Sequence, residues 1–138
     1  MDNLGKLLDQ YSIEKIRENK YREANKDSRA IREKANGLLG EVQDYISDAI
    51  QGNVTLPEPT YKFYKGENLH PIELIDLATA VSTLFDANIN LWETEDKRRD
   101  LKLSDKVRLN AADEISTYNR IRNDAIDQVN KKFLYLLQ

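Results

Sequence analysis

The chain has 138 residues, a length that suits a single domain, here residues 1–138, with a core of useful size. Its 21 Lys and Arg residues nearly balance its 24 Asp and Glu residues, and the net charge of -3 disfavours nucleic acid as the main partner. The sequence has no cysteine and one histidine, His70, which excludes disulfides, thiolate zinc sites, cysteine nucleophiles and histidine-rich metal sites.

The first residues and the apolar segments predict where the protein resides. Residues 1–4, Met-Asp-Asn-Leu, lack the basic region and apolar run of a secretory signal, and no stretch approaches the roughly 20 apolar residues of a membrane span. We therefore expect a soluble, cytoplasmic protein without a membrane partner. The preferred interpretation includes no bound metal and no other cofactor.

Two amphipathic helices are expected in the first 52 residues. Helix 1 is predicted from about Asn3 to Arg22, and helix 2 ends at Gly52, a residue typical of helix C-termini. Residues 25–28, Asn-Lys-Asp-Ser, predict a break between them, although their neighbours are good helix formers and one continuous helix is the alternative. The apolar faces comprise Leu4, Leu7, Leu8 and Tyr11 in helix 1, and Ala24, Ile31, Ala35, Leu38, Val42, Tyr45 and Ala49 for helix 2.

A loop is predicted at about residues 52–69, the one segment of any length without a helical pattern. It contains Pro57 and Pro59, followed at 61–66 by the sequence Tyr-Lys-Phe-Tyr-Lys-Gly. Two interpretations of this aromatic and basic segment are open. It is either a recognition loop for a planar anionic ligand or a cover for an open end of the helices.

Helices 3 and 4 complete the expected fold. Helix 3 is predicted to begin at His70-Pro71, because proline suits the first helical position, and to run to Arg99. His70 is accordingly expected to be a helix-entry residue and not a catalyst. Ser104 is expected to cap helix 4, which runs to the C-terminus. These elements predict an all-α antiparallel four-helix bundle with one long loop between helices 2 and 3.

Polar residues interrupt the apolar stripes of helices 3 and 4. Every seventh residue from Leu74 reads Leu, Val, Asn, Glu, and every seventh residue from Ile115 reads Ile, Arg, Val, Leu. Residues seven apart share a helix face, so Asn88, Glu95 and Arg122 point the way that their apolar neighbours point. A buried polar group costs several kcal/mol unless it has a partner. These positions are therefore either a paired structural network or a site.

Three stretches of the chain combine glycine, polar and aromatic residues at recognisable spacings. Residues 5–13 are similar to Gly-x-Leu-x-Asp-x-x-(Ser/Thr)-Ile, and residues 88–99 to Asn-x-x-Leu-Trp-x-x-Glu-Asp-x-x-Arg. Asn119 and Arg122 are similar to an Asn-x-x-Arg pair, and Val129 and Asn130 to a terminal apolar-Asn pair. Lys6 departs from the pattern, which usually has an acid there. Together the three stretches resemble an uncharacterised, all-helical family of bacterial and phage proteins. The resemblance implies an all-helical fold and a set of marked residues, without an assigned activity.

Helix geometry sorts the marked residues into two polar layers. At 1.5 Å per residue, Glu95 lies roughly 10 Å from a turn near Lys102 and Arg122 about 30 Å from it, too far apart for a direct pair. If helix 1 runs parallel to helix 3, polar residues of helix 1 reach the height of Arg122. The expected middle layer comprises Asp9, Ser12, Asn88, Asn119 and Arg122, and the expected end layer comprises Glu95, Asp96, Arg99 and Arg108.

Internal pairing that fixes helix register and a ligand site are both open interpretations of these layers. Two arginines and two acids can neutralise each other, whereas an arginine with unused donors would favour a site, since guanidinium forks suit carboxylates and phosphates. Trp92 is expected to pack in the core, with a ligand platform as its alternative role. The candidate ligand-binding residues are Asp9, Ser12, Asn88, Trp92, Glu95, Asp96, Arg99, Asn119 and Arg122.

Three functions are compatible with these patterns. The preferred one is a non-enzymatic helical module that binds a partner or a small anionic, nucleotide- or sugar-like molecule through the polar layers. The second is an all-α, magnesium-dependent nucleotide pyrophosphohydrolase, because residues 41–44 and 93–96 place acids at spacings that can hold magnesium. Arg99 and Arg108 beside the second set oppose a metal there. The third is a structural module that forms homo-oligomers through the alanine-rich face of helix 2.

Overall fold

The computed structural model describes residues 3–53 and 76–137, and every regular element within these ranges is an α-helix. The four helices are α1 (Leu4–Glu23), α2 (Arg29–Ile50), α3 (Leu77–Arg99) and α4 (Asp105–Leu136). The predicted all-α, four-helix fold is confirmed. None of the described helices combines the length and apolar character that crossing a membrane requires.

The break between α1 and α2 lies where the sequence predicts it. Asn25 has φ 55°, a left-handed conformation that asparagine tolerates better than most residues. The Lys26 N–H donates to the Tyr21 carbonyl at 2.8 Å, which closes the end of α1. Asp27 Oδ1 then accepts from the Arg29 N–H at 3.0 Å, at the start of α2. The alternative of one continuous helix is therefore wrong.

Local signals also set the end of α2 and the start of α4. Gly52 has φ 75°, which glycine adopts without strain, and the Asn53 N–H donates to the Asp48 carbonyl at 2.8 Å. Ser104 Oγ accepts from the Val107 N–H at 3.3 Å and caps α4. Both boundaries agree with the prediction.

The start of α3 differs from the prediction. Asp76 is extended and its side chain accepts from the Thr79 N–H at 2.7 Å, so Asp76 is the N-cap and Leu77 the first residue of α3. The predicted start at His70-Pro71 is wrong for this helix, because an acid that can cap lies further along the chain. His70, Pro71 and the aromatic segment 61–66 lie outside the described residues.

The core shows how the helices run relative to one another. N-terminal residues of α1 and α3 pack there against residues from the second halves of α2 and α4. Thus α1 and α3 are parallel to each other and antiparallel to α2 and α4. The core cluster comprises Leu4, Leu7, Val42, Ala49, Ala80, Val129 and Phe133.

Helix α1 is the central element of the described fold. It packs on α2 and, separately, on both α3 and α4, while α3 and α4 form the most extensive helix pair. Gly5 lets α1 approach α4 closely: its N–H donates to Asn130 Oδ1 at 2.8 Å, and an added Cβ would lie 2.5 Å from the Ile126 carbonyl oxygen. This approach places the polar side chains of α1 next to those of α3 and α4.

Candidate functional site

A hydrogen-bonded network, here called the middle network, joins α1, α3 and α4 through Asp9, Ser12, Asn88 and Arg122. Arg122 donates from Nε to Asp9 Oδ1 at 2.8 Å and from Nη2 to Asp9 Oδ2 at 2.6 Å. Asn88 Nδ2 donates to Asp9 Oδ1 at 2.9 Å and to Ser12 Oγ at 2.7 Å. Ser12 Oγ donates to the Asp9 carbonyl at 2.9 Å. The structure brings together four of the five residues expected in the middle layer.

The middle network is buried on the α1 side and open on the α4 side. Asp9 is 4% exposed, whereas the Arg122 side chain retains 31% of its exposure. The hydrogen bonds from Arg122 to Asp9 raise the pKa of the guanidinium above its ordinary value, although partial burial opposes the shift. A buried carboxylate needs such charge-assisted partners, because an unpaired one is strongly destabilising.

Arg122 retains hydrogen-bond donors after pairing with Asp9. A guanidinium carries five N–H groups, and the two bonds to Asp9 use one on Nε and one on Nη2. Within residues 3–53 and 76–137, no further hydrogen bond of this side chain is formed. The edge made by Nη1 and the second N–H of Nη2 is therefore left for another acceptor.

A cleft of about 340 Å³ adjoins the middle network, with walls from α3 and α4 and Ile13 contributed by α1. Seven of the nine candidate residues line it, and the other two, Asp9 and Ser12, bond to the lining residues Asn88 and Arg122. The lining comprises Ile13, Asn88, Leu91, Trp92, Glu95, Asp96, Arg99, Ile115, Asn119 and Arg122.

Two lining residues are placed differently from the prediction. Trp92 is half-buried and lines the cleft, so it lies at the edge of the core and not inside it as expected. A half-buried indole in a cleft wall is compatible with the alternative role of a ligand platform. Asn119 lines the cleft too, but it is exposed and does not belong to the middle network.

The prediction of the end layer is partly wrong, because Arg108 does not pair with the acids there. Glu95 Oε2 accepts from Arg98 Nε at 3.1 Å and Nη2 at 2.8 Å, and it lies 3.5 Å from Arg99 Nε. Arg108 instead donates to the Arg98 carbonyl at 3.0 Å and lies 3.8 Å from Asp105. Residues three and four apart on one helix are closer to Glu95 than a residue on the facing helix.

The end layer is also less buried than the stripe predicted. The Arg98 and Arg99 side chains are exposed, and Glu95 is half-buried. Asp96 is exposed at the same end of the cleft. The end layer is therefore a surface group of charges at the mouth of the cleft.

A second polar cluster, here called the α1–α2 clamp, joins α1 to α2 and was not found from the sequence. Two α1 acids, Glu14 and Glu18, are buried in it. Glu18 Oε1 accepts from Arg32 Nε at 3.1 Å, and Glu14 Oε1 lies 3.1 Å from Lys34 Nζ. The clamp comprises Glu14 and Glu18 with their basic partners Lys15, Arg17, Arg22, Arg32 and Lys34.

Electrostatics and sequence pattern both identify Glu18 as part of this clamp. The hydrogen bond from Lys15 lowers the pKa of Glu18 below its ordinary value, with Arg32 adding to the shift and burial opposing it. The signal was present in the sequence, because Leu4, Tyr11 and Glu18 are spaced by seven residues. The reading that located Asn88 would have located Glu18 if applied to α1.

The acids of the pyrophosphohydrolase alternative are separated in space. Glu41 and Asp44 lie on the exposed side of α2, which packs on α1, whereas residues 93–96 belong to α3. Among the described residues, no group of three or more histidine or acidic side chains is placed to hold a metal ion. The cleft does not gather acids either: besides apolar residues, its lining has one tryptophan, two amides, two acids and two arginines, Arg99 and Arg122.

Comparison of the chain with family models, curated proteins and solved structures found no match. The resemblance to an uncharacterised all-helical family stays a prediction. The cleft and the middle network are the features from which a function can be proposed.

Proposed function

We propose that this chain is a non-enzymatic binding module that takes up a small anionic molecule in the cleft between α3 and α4. The unused edge of Arg122 is the observation that carries the proposal. Asp9 fixes the guanidinium through its Nε side, and the remaining donors belong to a residue that lines the cleft. A guanidinium held this way offers two parallel N–H groups to a carboxylate or phosphate and loses little freedom when it binds.

The rest of the cleft suits an organic molecule better than a bare ion. Trp92 supplies an aromatic face, and Leu91 and Ile115 supply apolar walls. The exposed amide of Asn119 can donate and accept hydrogen bonds. Apolar walls with a few polar groups, in a volume of about 340 Å³, are typical of small-molecule pockets. A nucleotide- or sugar-like anion is compatible with this lining.

The test is calorimetric titration of the full chain with three anions, AMP, ribose 5-phosphate and 1-naphthylacetate. Arg122→Lys keeps the charge but removes the bidentate fork, and we expect it to weaken binding about tenfold, the effect of roughly one charged hydrogen bond. Arg29→Lys, at an exposed position at the start of α2, is the matched control and should bind like the wild type. Failure of all three anions to bind at millimolar concentration, or binding unaffected by Arg122→Lys, would contradict the proposal.

The magnesium-dependent pyrophosphohydrolase is the weaker candidate. In its favour, Asp96 places an exposed carboxylate at the cleft. Against it, Arg98 and Arg99 both lie on Glu95, which leaves little net negative charge for a hard dication. We expect Mg²⁺ to leave the melting temperature unchanged. Magnesium-dependent release of pyrophosphate from a nucleoside triphosphate, lost in Asp96→Asn, would replace the binding proposal with this one.

The face of α2 through which a homo-oligomer was predicted is not available for contact with a second chain. The alanine-rich face of α2 is buried within the chain, since Ala35, Val42 and Ala49 are nearly inaccessible. A homo-oligomer formed through another surface stays a prediction, as does the cytoplasmic location.

A further inference from the structure

We infer that the cleft takes an aromatic carboxylate, a planar ring bearing one negative charge, in preference to a dianionic phosphate ester. The inference rests on the proposed binding function and names the chemical class of the ligand. Three observations carry it: the balance of charge in the lining, the isolation of Arg122, and the position of Trp92 relative to that arginine.

The charged side chains of the lining cancel. Glu95 and Asp96 are matched by Arg99 and Arg122, and of the charges directly behind the lining, Asp9 on Arg122 is offset by Arg98 on Glu95. The cleft therefore offers the free N–H groups of Arg122 to an anion, without an excess of positive charge around them. A phosphate monoester carries a charge of about -1.5 to -2 near pH 7, so it meets more repulsion here than a carboxylate does.

Arg122 acts without the usual helpers of a phosphate site. Phosphates are commonly held by several arginines or by a helix N-terminus. Asn88 lies 11 residues beyond Leu77, the first residue of α3, which places the N-terminus of α3 about 16 Å away along the axis. Arg99, the other arginine of the lining, lies 3.5 Å from Glu95. One free guanidinium edge matches the two oxygens of one carboxylate.

Trp92 lies one helical turn beyond Asn88, and Asn88 and Arg122 both bond to Asp9 Oδ1. Four residues of helix advance about 6 Å, so the backbone positions of Asn88 and Trp92 are separated by about that distance along α3, and both side chains line the cleft together with Arg122. An aryl ring joined to a carboxylate through one carbon spans a similar distance. Leu91 and Ile115 supply the apolar contacts that exclude water around such a ring.

The test compares two ligands with the same ring and different charge. Calorimetric titration of the full chain at pH 7.5 uses 1-naphthylacetate and 1-naphthyl phosphate, with cyclohexylacetate as the non-aromatic acid. We expect 1-naphthylacetate to bind at least about tenfold more tightly than either of the others, a difference well within what one charge or one stacked ring provides. At pH 5, where the phosphate ester is mainly a monoanion, the gap between the two naphthyl ligands should narrow.

Two variants test the cause of the selectivity. Asp96→Asn removes a negative charge from the cleft and should raise the affinity for 1-naphthyl phosphate more than that for 1-naphthylacetate. Asp86→Asn, at an exposed α3 position outside the lining, is the matched control and should change neither affinity. Trp92→Leu should remove the preference for 1-naphthylacetate over cyclohexylacetate.

The outcomes separate this inference from the proposed function. Binding of AMP or 1-naphthyl phosphate as tight as that of 1-naphthylacetate would overturn the inference and leave an anion-binding cleft standing. A preference for 1-naphthylacetate that survives Trp92→Leu unchanged would also overturn it. Absence of binding by every anion would overturn the inference and the proposed function together.

Discussion

The middle network and the α1–α2 clamp both bury acids of α1, yet they neutralise those acids in different ways. One arginine holds Asp9 through two hydrogen bonds. Glu18, in contrast, is in contact with three bases on the protein surface, Lys15, Arg22 and Arg32. The middle network therefore depends on one geometry, whereas the clamp is redundant. Single substitutions should affect the two regions unequally.

The largest effect is expected for Arg122→Met. The substitution leaves the buried Asp9 carboxylate without its charged partner, which typically costs about 3–5 kcal/mol, and the partial exposure of Arg122 favours the lower end of that range. Urea unfolding at pH 7 measures the loss. The double variant Asp9→Asn with Arg122→Met should recover part of it, because no uncompensated charge remains. An Arg122→Met variant as stable as the wild type would contradict the contrast drawn between the middle network and the α1–α2 clamp.

The second largest effect is expected for Gly5→Ala, which pushes α1 away from α4 beside the middle network. The added Cβ would meet the Ile126 carbonyl oxygen at 2.5 Å, so backbone must shift, at a cost of about 1–3 kcal/mol. Gly37→Ala is the control in α2, where a Cβ meets nothing within 4 Å and helix propensity favours alanine by about 0.5–1 kcal/mol. Equal effects of the two substitutions on urea unfolding would show that the close approach is unimportant.

A smaller effect is expected for Arg32→Met in the α1–α2 clamp. Lys15 and Arg22 remain on Glu18 after the substitution, and Arg32 is exposed, so the loss should stay under about 1 kcal/mol. The measurement is the same urea titration used for Arg122→Met. A loss as large as that of Arg122→Met would mean that the clamp is not redundant.

The smallest expected effect is a change in how steeply the melting temperature falls as the pH is lowered. Because the folded-state pKa of Glu18 lies below its unfolded value, its ionised form stabilises the fold above the ordinary Glu pKa, and that contribution is lost as pH falls through the folded pKa. Melting temperatures from pH 7 to pH 3 should therefore fall less steeply in Glu18→Gln than in the wild type. Glu33→Gln, an exposed α2 position, is the control. Parallel curves for wild type and Glu18→Gln would contradict the prediction.

Helix periodicity predicted the part of the site that depends on the face and the height of each residue on its helix. A seven-residue reading gives the face of Asn88 and Arg122, and the rise per residue gives their height. An up-down-up-down order then brings Asp9 and Ser12 to the same level, where the structure places them. Face and height are properties of the backbone, which is why sequence carries them.

The partners of surface charges could not be predicted in this way. Height alone placed Arg108 beside Glu95, but Arg98 lies three residues from Glu95 on the same helix and takes that position. Which of two long side chains reaches an acid depends on rotamers and solvation, and these are not periodic. Burial of Glu14 depends on how α2 docks, and the sequence pattern of α1 contains no information about that docking.

The docking of α2 also determines how the protein opens. In the described fold the backbone of α2 lies close to that of α1 alone, and only the second half of α2 reaches the core cluster, where the Tyr45 ring lies 6.2 Å from the ring of Phe133 in α4. Its first turns are held only at the contact with α1, which includes the α1–α2 clamp and buried Ile31 and Ala35, so they are expected to open before the rest of the fold, with faster amide hydrogen exchange than the amides of α3 and α4. Such opening would leave most of the cleft wall intact, so ligand uptake and partial unfolding are separable events in this molecule.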